Sequence, residues 1–399
     1  MKTNVLHTPD GVRDIYNSEC EYKIFLEERL FLSLRTFGYH PIQTPSFEFF
    51  DVFSKETGTT PSRDLYKFFD REGNTLVLRP DITPSIARAA AKFYMDETMP
   101  IRFCYKGNTF INNHSYQGRL RETTQLGAEL IGDSSPDADA EMIAMAVNGM
   151  REAGLENFQI GIGHADFFYG LAKEANLSEK TIEELKELIC NKNFFGVEEI
   201  VHTLPIEEPL KMLFEELGKL YQTPEELGLL KEKTAPYPRV KKAVERLEQL
   251  AVILKDYQLG KYISYELGML ANYQYYTGII FTGYTYGVGE PIVKGGRYDS
   301  LLHYFGKDAP AIGFAVVVDQ LMAALSRQKI KCEIGLQKEL IVYDEANRLE
   351  ALSIASTDRA NHICAELLLK DKARTKADYE AYAKRNDIPK LLYLVTQTT

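Results

Sequence analysis

The segment from Gly107 to Gly132 constrains the fold of this chain more than any other stretch. It reads as two strands joined by a long polar loop, because residues in its second half alternate between two faces. Leu126, Ala128 and Leu130 form an apolar face, which predicts a sheet that packs against a core on that side. The opposite face carries Thr123, Gln125, Gly127 and Glu129.

Gln125 and Glu129 place an amide and a carboxylate close together on the polar face. Gly127 lies between them and leaves room above the strand, so their oxygens are suited to an ammonium or an imidazole N–H. A plainer interpretation has both side chains pointing to solvent from a half-exposed sheet. This segment alone leaves both interpretations open.

A second polar feature lies where a predicted strand, residues 75–79, meets a predicted helix. Pro80 ends the strand, and Pro84 suits the first helical position, with Thr83 as the expected N-cap. Asp81, just ahead of the helix, is explained either as a cap that favours the helix N-terminus or as a ligand for a positive group.

The polar strand resembles the second signature motif of class II aminoacyl-tRNA synthetases, in the version found in histidyl-tRNA synthetases. The second half of that motif is retained, from Gly118-Arg119-Leu120-Arg121 through Gln125-Leu126-Gly127-Ala128-Glu129. The first half is not retained. The family's arginine for the ATP α-phosphate and the glutamate that follows it are replaced here by Ile111 and Asn113.

Two later peptides resemble those that build the histidine pocket of the same synthetases: Tyr275-Tyr276-Thr277-Gly278 and Gly295-Gly296-Arg297-Tyr298-Asp299-Ser300-Leu301. Just before the first, Ala271 and Gln274 occupy the family's arginine and aspartate positions. The third signature motif is similar to residues 310–321, with Gln320 in place of the arginine that meets the γ-phosphate.

The resemblance therefore implies a site that keeps its amino-acid side and has lost all three of the family's ATP arginines. It assigns no catalytic residue. Asp81 matches the acid that binds the α-amino group, Gln125 helps to hold that group, and Glu129 and Tyr276 face the imidazole. The complete set of expected histidine-binding residues is Asp81, Thr83, Arg121, Gln125, Glu129, Tyr275, Tyr276, Arg297 and Tyr298.

The same resemblance predicts an α+β fold, with a class II synthetase-like antiparallel sheet flanked by helices. Residues 1–328 are expected to form this core, with a helical insertion at about 165–254. Residues 329–399 then form a small α/β domain similar to a reduced anticodon-binding domain.

An amphipathic helix is predicted from about Cys20 to Phe37, followed by a strand-like segment. Its expected apolar face consists of Ile24, Leu26, Leu30, Leu32 and Leu34. The segment resembles the first class II motif, which forms the dimer interface of the synthetases. Burial within a single core explains the pattern equally well.

Composition limits the function further. The 399 residues carry a formal charge of −10, which argues mildly against a nucleic-acid partner. The basic cluster at residues 370–376 is interspersed with and followed by acids, as is typical of a solvated helix face. tRNA is therefore a disfavoured partner.

The five cysteines contain no C-x-x-C pair, which suits a reducing compartment. No metal site, no cofactor, no signal peptide and no membrane-spanning run is expected, and the predicted location is the cytoplasm.

A synthetase-like chain with a histidine pocket and without the ATP arginines resembles the regulatory subunits of short-form ATP phosphoribosyltransferases. This resemblance implies a short catalytic subunit as partner, L-histidine as ligand, and self-association as a dimer within a hetero-octamer of four chains of each kind. Two alternatives remain: an active histidyl-tRNA synthetase, which the replaced arginines disfavour, and a synthetase-like binding protein for tRNA or another protein.

We expect the chain to form no measurable histidyl-adenylate. Three lost phosphate contacts would remove on the order of 4–9 kcal/mol if they added, which is about a thousandfold or more in binding. Histidine-dependent exchange of pyrophosphate into ATP, measured beside an active histidyl-tRNA synthetase, checks this expectation. Exchange comparable to that of the control would restore the synthetase alternative.

Overall fold

The computed structural model describes residues 6–53, 60–113, 120–270, 276–330 and 337–396. These residues divide into two compact units. The first contains residues 6–13 and 26–330, and the second contains residues 14–25 and 337–396.

The helices of the described residues are α1 (Asn17–Thr36), α2 (Thr83–Phe93), α3 (Pro136–Glu152), α4 (Ala165–Glu174), α5 (Glu179–Cys190), α6 (Phe194–Thr203), α7 (Glu208–Glu215), α8 (Pro224–Lys233), α9 (Pro238–Asp256), α10 (Val318–Arg327), α11 (Arg348–Ala360) and α12 (Lys376–Arg385).

The strands are β1 (His40–Pro41), β2 (Phe47–Phe49), β3 (Lys67–Phe69), β4 (Thr75–Leu78), β5 (Ile101–Phe110), β6 (Glu122–Ile131), β7 (Phe158–His164), β8 (Leu220–Tyr221), β9 (Ile263–Glu266), β10 (Ile279–Thr285), β11 (Val293–Arg297), β12 (Ala311–Val317), β13 (Lys338–Tyr343), β14 (Cys364–Leu369) and β15 (Lys390–Leu394).

A nine-stranded sheet forms the centre of the first unit, in the order β1-β5-β6-β12-β11-β10-β7-β9-β8. The strands from β5 to β7 in this order pair antiparallel throughout, whereas β1 with β5 and β7 with β9 pair parallel. The alternating segment of the sequence is the β5–β6 pair, as predicted. The predicted α+β class is confirmed.

Helix α1 packs on α3 through every fourth residue, because positions i and i+4 lie on one helix face. Leu26, Leu30 and Leu34 are buried, and Leu30 approaches the backbone of α3 at Gly149, which has no side chain to keep it away. Ile24 and Leu32 were also expected on this apolar face, but both are at least half exposed. That part of the prediction is wrong, since Leu32 lies two residues from the buried positions and so points outward.

Helix α2 starts one residue earlier than predicted. Ile82 is the N-cap and Thr83 is the first helical residue, so the expected N-cap role of Thr83 is wrong. The Thr83 hydroxyl bonds to Glu129 on the sheet instead of to the backbone of its own helix.

The region expected to be helical contains α4 to α9. It also contributes β8, which pairs with β9 at the edge of the large sheet. In the second unit, β13 lies between β14 and β15 in a parallel three-stranded sheet. Helices α11 and α12 complete that unit.

In the described part of the chain, no helix is long and apolar enough to cross a membrane.

We expect Leu30→Ala to destabilise the protein by about 2–5 kcal/mol, because it leaves a cavity between α1 and α3. Leu32→Ala, on the exposed side of the same helix, serves as the control and should change stability by no more than about 0.5 kcal/mol. Urea unfolding of both variants measures the difference. Equal losses would mean that α1 does not pack by the Leu26-Leu30-Leu34 face.

Candidate functional site

The predicted ligand-binding strand forms one wall of a cavity above β6, β12 and β11. The space open to the centre of a water-sized molecule is about 30 Å³, and the free space including the open mouth is about 400 Å³. Strand β12 lines the middle of the cavity from Gly313 to Val317, and α2 and the residues before it close one side. Of the predicted site residues, Asp81, Thr83, Gln125, Tyr276 and Tyr298 line the cavity.

One end of the cavity presents hydrogen-bond acceptors. Asp81 is buried there, and its carboxylate accepts from the backbone N–H of Thr83 at 3.3 Å. Gln125 lies opposite, and its Oε1 is enclosed without a hydrogen-bond partner in the described structure. A buried acceptor without a donor is costly, so this end is suited to a ligand that brings N–H donors. The capping interpretation of Asp81 and its ligand interpretation are compatible, because a carboxylate accepts several bonds.

Glu129 lies beneath the cavity floor and not in the cavity. Its side chain is 1% exposed, which rules out the solvent-facing alternative for this residue. One carboxylate oxygen accepts from the Thr83 hydroxyl at 2.8 Å, and the other accepts from the Tyr298 hydroxyl at 2.5 Å. Glu129 therefore reaches the cavity only through these two hydroxyls, which do line it, and its expected contact with a ligand imidazole stays a prediction.

Burial raises the pKa of Glu129 to about 8, and the nearby Asp81 carboxylate acts in the same direction. Hydrogen bonds from Tyr298, Thr83 and Tyr105 oppose this shift without cancelling it. Burial also raises the pKa of the Tyr298 and Tyr105 hydroxyls well above the usual value, so both keep their protons. The floor is thus a set of neutral hydroxyls over a carboxyl group that gains charge only near pH 8.

Two glycines make this arrangement possible. A side chain on Gly313 would place its Cβ 1.5 Å from the Glu129 carboxylate. A Cβ on Gly127 would lie 2.0 Å from the carbonyl oxygen of Phe314 and 2.7 Å from the Tyr105 hydroxyl. The room that Gly127 leaves above the strand is therefore filled by Tyr105 and is not open to a ligand, contrary to the simplest sequence interpretation.

Arg297 does not line the cavity. Its guanidinium points to the other face of the sheet and donates two hydrogen bonds to one oxygen of buried Asp139 on α3, at 2.6 and 2.9 Å. Arg246 of α9 donates to the second oxygen at 2.7 Å. The predicted place of Arg297 in the pocket wall is corrected accordingly, because alternate residues of a strand face opposite sides.

Arg121 also lies apart from the cavity lining. Its side chain packs beside Gly11 and donates to the backbone carbonyl of Asn113 at 3.3 Å. The predicted ligand role of Tyr275 falls on a residue outside those that the structure describes, as do the positions of Ala271 and Gln274.

Beyond Gln125, the next residue pair on the cavity face of β5 and β6 is uncharged. Thr123 pairs with Thr109, and their hydroxyls lie 3.0 Å apart. Ile111 follows, with its backbone N–H bonded to the carbonyl of Arg121. Uncharged hydroxyls and an isoleucine provide little to hold a triphosphate in a low-dielectric site.

The cavity residues that were missed from the sequence include Tyr105 and Lys294. Tyr105 lies directly opposite Gly127 in the β5–β6 register, and Lys294 lies two residues before Gly296 on β11. The strand alternation that places Gly296 and Tyr298 on the cavity side also predicts Lys294 there. Tyr105 required the β5–β6 register, which the sequence did not supply.

Comparison with known proteins extends these observations. Residues 11–321 match the family model described as histidyl-tRNA synthetase. An ATP phosphoribosyltransferase regulatory subunit from Acetivibrio thermocellus is 43% identical, covering 91% of this chain and 86% of its own length. The subunit of the same name from Ruminiclostridium cellulolyticum is 40% identical, covering 98% of this chain and 92% of its own length.

Among solved structures, one described as an ATP phosphoribosyltransferase regulatory subunit/histidyl-tRNA synthetase from Bacillus halodurans matches with a TM-score of 0.87 and 29% identity. It covers 100% of both chains. A histidyl-tRNA synthetase from Nostoc has a TM-score of 0.79 at 19% identity, which shows the shared fold. The predicted class II synthetase-like fold is thereby confirmed.

We expect Glu129→Gln to alter the pH dependence of stability. The folded protein keeps the Glu129 proton up to about pH 8, whereas the unfolded chain loses it near the ordinary value of 4.5. The folded state binds more protons between these values, so this group makes stability fall as pH rises from about 4.5 to about 8.

The glutamine variant lacks this contribution, so its stability should fall less across the same range. Urea unfolding at several pH values within the range compares the variant with the wild type and with Glu28→Gln, a control on the exposed side of α1. Parallel curves for Glu129→Gln and the wild type would contradict the raised pKa.

Proposed function

From the premise that this chain belongs to the family of ATP phosphoribosyltransferase regulatory subunits, on a histidyl-tRNA synthetase fold, we propose that it senses L-histidine for a short catalytic subunit. The relatives that share 40–43% of its residues carry this regulatory name. In the proposed role, the chain activates the catalytic subunit, which joins ATP to phosphoribosyl pyrophosphate. The chain also transmits inhibition by L-histidine to that subunit.

The observation that carries the proposal is the acceptor end of the cavity. The Asp81 carboxylate and the unpaired Oε1 of Gln125 suit the α-ammonium of an amino acid. The hydroxyls of Tyr298, Tyr276 and Thr83 form a polar, neutral surface for an imidazole, which both donates and accepts hydrogen bonds. Glu129 orients the Tyr298 and Thr83 hydroxyls from below.

The proposal includes the absence of aminoacylation by this chain. Ile111 and the Thr109–Thr123 pair occupy the outer part of the β5–β6 face, where the family uses charge against ATP. Gln320 lies on α10 at the place of the third arginine. Neutral groups at these positions do not stabilise the charge that develops at a reacting phosphate.

Histidine regulates the complex, in this proposal, by binding one arrangement of the assembly more tightly than another. A ligand shifts such an equilibrium only by its difference in affinity for the two states. The cavity lies between α2 and the strands of the large sheet, so a ligand there joins two elements of the first unit. Any movement of α2 relative to the sheet would then depend on occupancy.

Self-association is proposed through the small sheet of the first unit, in which β4 lies between β2 and β3. Phe47, Phe49 and Phe68 share one face of this sheet and are each more than a third exposed. An exposed aromatic cluster next to the predicted dimer motif is suited to a second copy of the chain. The four described cysteines are free thiols, which supports the proposed cytoplasmic location.

Phosphoribosyl-ATP formation by a short-form catalytic subunit, with and without this chain and with and without histidine, tests the proposed function. Activity that appears only when both chains are present and that decreases with histidine supports the proposed function. Light scattering on the same mixture tests the proposed hetero-octamer of four chains of each kind. A mixture that neither associates nor gains activity would contradict the regulatory role, and tRNA binding would be tested next.

Within that assay, we expect Asp81→Asn to raise the histidine concentration for half-inhibition by about ten- to a hundredfold, because the variant loses a charged acceptor for the α-ammonium. Activation without histidine should be unchanged. Asp96→Asn, which changes an exposed carboxylate away from the cavity, serves as the matched control. Inhibition of Asp81→Asn at wild-type histidine concentrations would place the histidine site elsewhere.

A further inference from the structure

The cavity contains a positive charge that the family resemblance does not assign to ligand binding. Lys294 of β11 is a lining residue and is partly buried. It pairs with Thr282 of β10 on one side and with Ala315 of β12 on the other. Strand β12 lies between β11 and β6, so the Lys294 side chain and the Gln125 side chain start from opposite sides of β12.

The register of the large sheet separates Lys294 from Gln125 both along and across the strands. Ala315 pairs with Gly127 of β6, and Gln125 lies two residue pairs further along, opposite Val317. Neighbouring strands are about 4.8 Å apart, so Lys294 and Gln125 approach the cavity from positions about two strands apart. The intervening residue of β12 is a small alanine, over which a flexible lysine stem can extend.

The charges in the cavity match those of a zwitterion. Asp81 contributes a negative charge and Lys294 a positive charge to the cavity lining, while Glu129 beneath the floor stays largely protonated below pH 8. An amino acid carries its ammonium and carboxylate on the same carbon. If Asp81 and Gln125 hold the α-ammonium, the α-carboxylate lies close to them and needs a cation that can reach it there.

We infer that Lys294 binds the α-carboxylate of the amino-acid ligand and replaces the arginine that the family resemblance places at Ala271. This inference rests on the proposed histidine site and names the group that completes it. The alanine at position 271 offers only a methyl group, and Arg121 lies apart from the cavity lining and donates to Asn113. A lysine acts here as a mobile point charge, without the fixed two-pronged geometry of a guanidinium.

Binding of L-histidine and of histamine distinguishes this role from a general structural one. Histamine keeps the imidazole and the ammonium and lacks the carboxylate. Calorimetric titration of the full chain should show that the wild type prefers histidine to histamine by about ten- to a hundredfold. Lys294→Gln should lose most of this preference by binding histidine more weakly, with its histamine affinity unchanged.

Lys294→Arg should restore part of the histidine affinity, because it returns the positive charge. Lys261→Gln, at an exposed lysine that lines a separate groove, is the matched control and should behave as the wild type. Equal weakening of both ligands in Lys294→Gln, or no weakening of either, would overturn the carboxylate role while leaving the histidine site intact. A wild-type chain that binds neither ligand would overturn the site itself and the inference with it.

Discussion

The buried carboxyl group of Glu129 is the constraint on which the rest of the site depends. It receives hydroxyls from α2, from β5 and from the residue that follows β11, so it fixes three elements around one point. Removal of such a group would leave several buried donors without partners, which costs more than the bonds themselves contribute. The surrounding glycines follow from it, because no other residue leaves space for the carboxylate and Tyr105.

Side chains of strand β11 make contacts on both faces of the large sheet. Arg297 points away from the cavity and joins Asp139 of α3, which Arg246 of α9 also holds. Lys294, on the same strand, and Tyr298, the residue just after its end, both line the cavity. The motif that resembles a histidine-binding peptide therefore contains one residue, Arg297, that joins α3 to the large sheet. A buried ion pair of this kind is strongly destabilising when one partner is removed.

This division separates the positions where the family binds ATP from those that hold the fold together. The positions that the family uses against ATP lie at the outer end of the β5–β6 face or at the start of α10, where neutral side chains leave no buried charge unpaired. Glu129, Arg297 and Asp139 are enclosed, and each holds partners on other elements. A charge at one of the outer positions can therefore be replaced at little cost in stability. Replacing one of the enclosed charged groups would leave its buried partner without compensation, which is costly.

The sequence by itself determined the alternation of β6 and the helical runs, because these depend on local periodicity, and the family resemblance implied the replacement of the phosphate-binding arginines. Together with the family resemblance, it determined the class of fold. It misassigned Thr83 as an N-cap and placed Arg297 in the pocket wall, where the structure instead pairs it with Asp139, and it missed Tyr105 and Lys294. Each of these depends on which strand lies beside which and in what register. Only the tertiary structure decided them, since the environment of a side chain is set by neighbours far away in the chain.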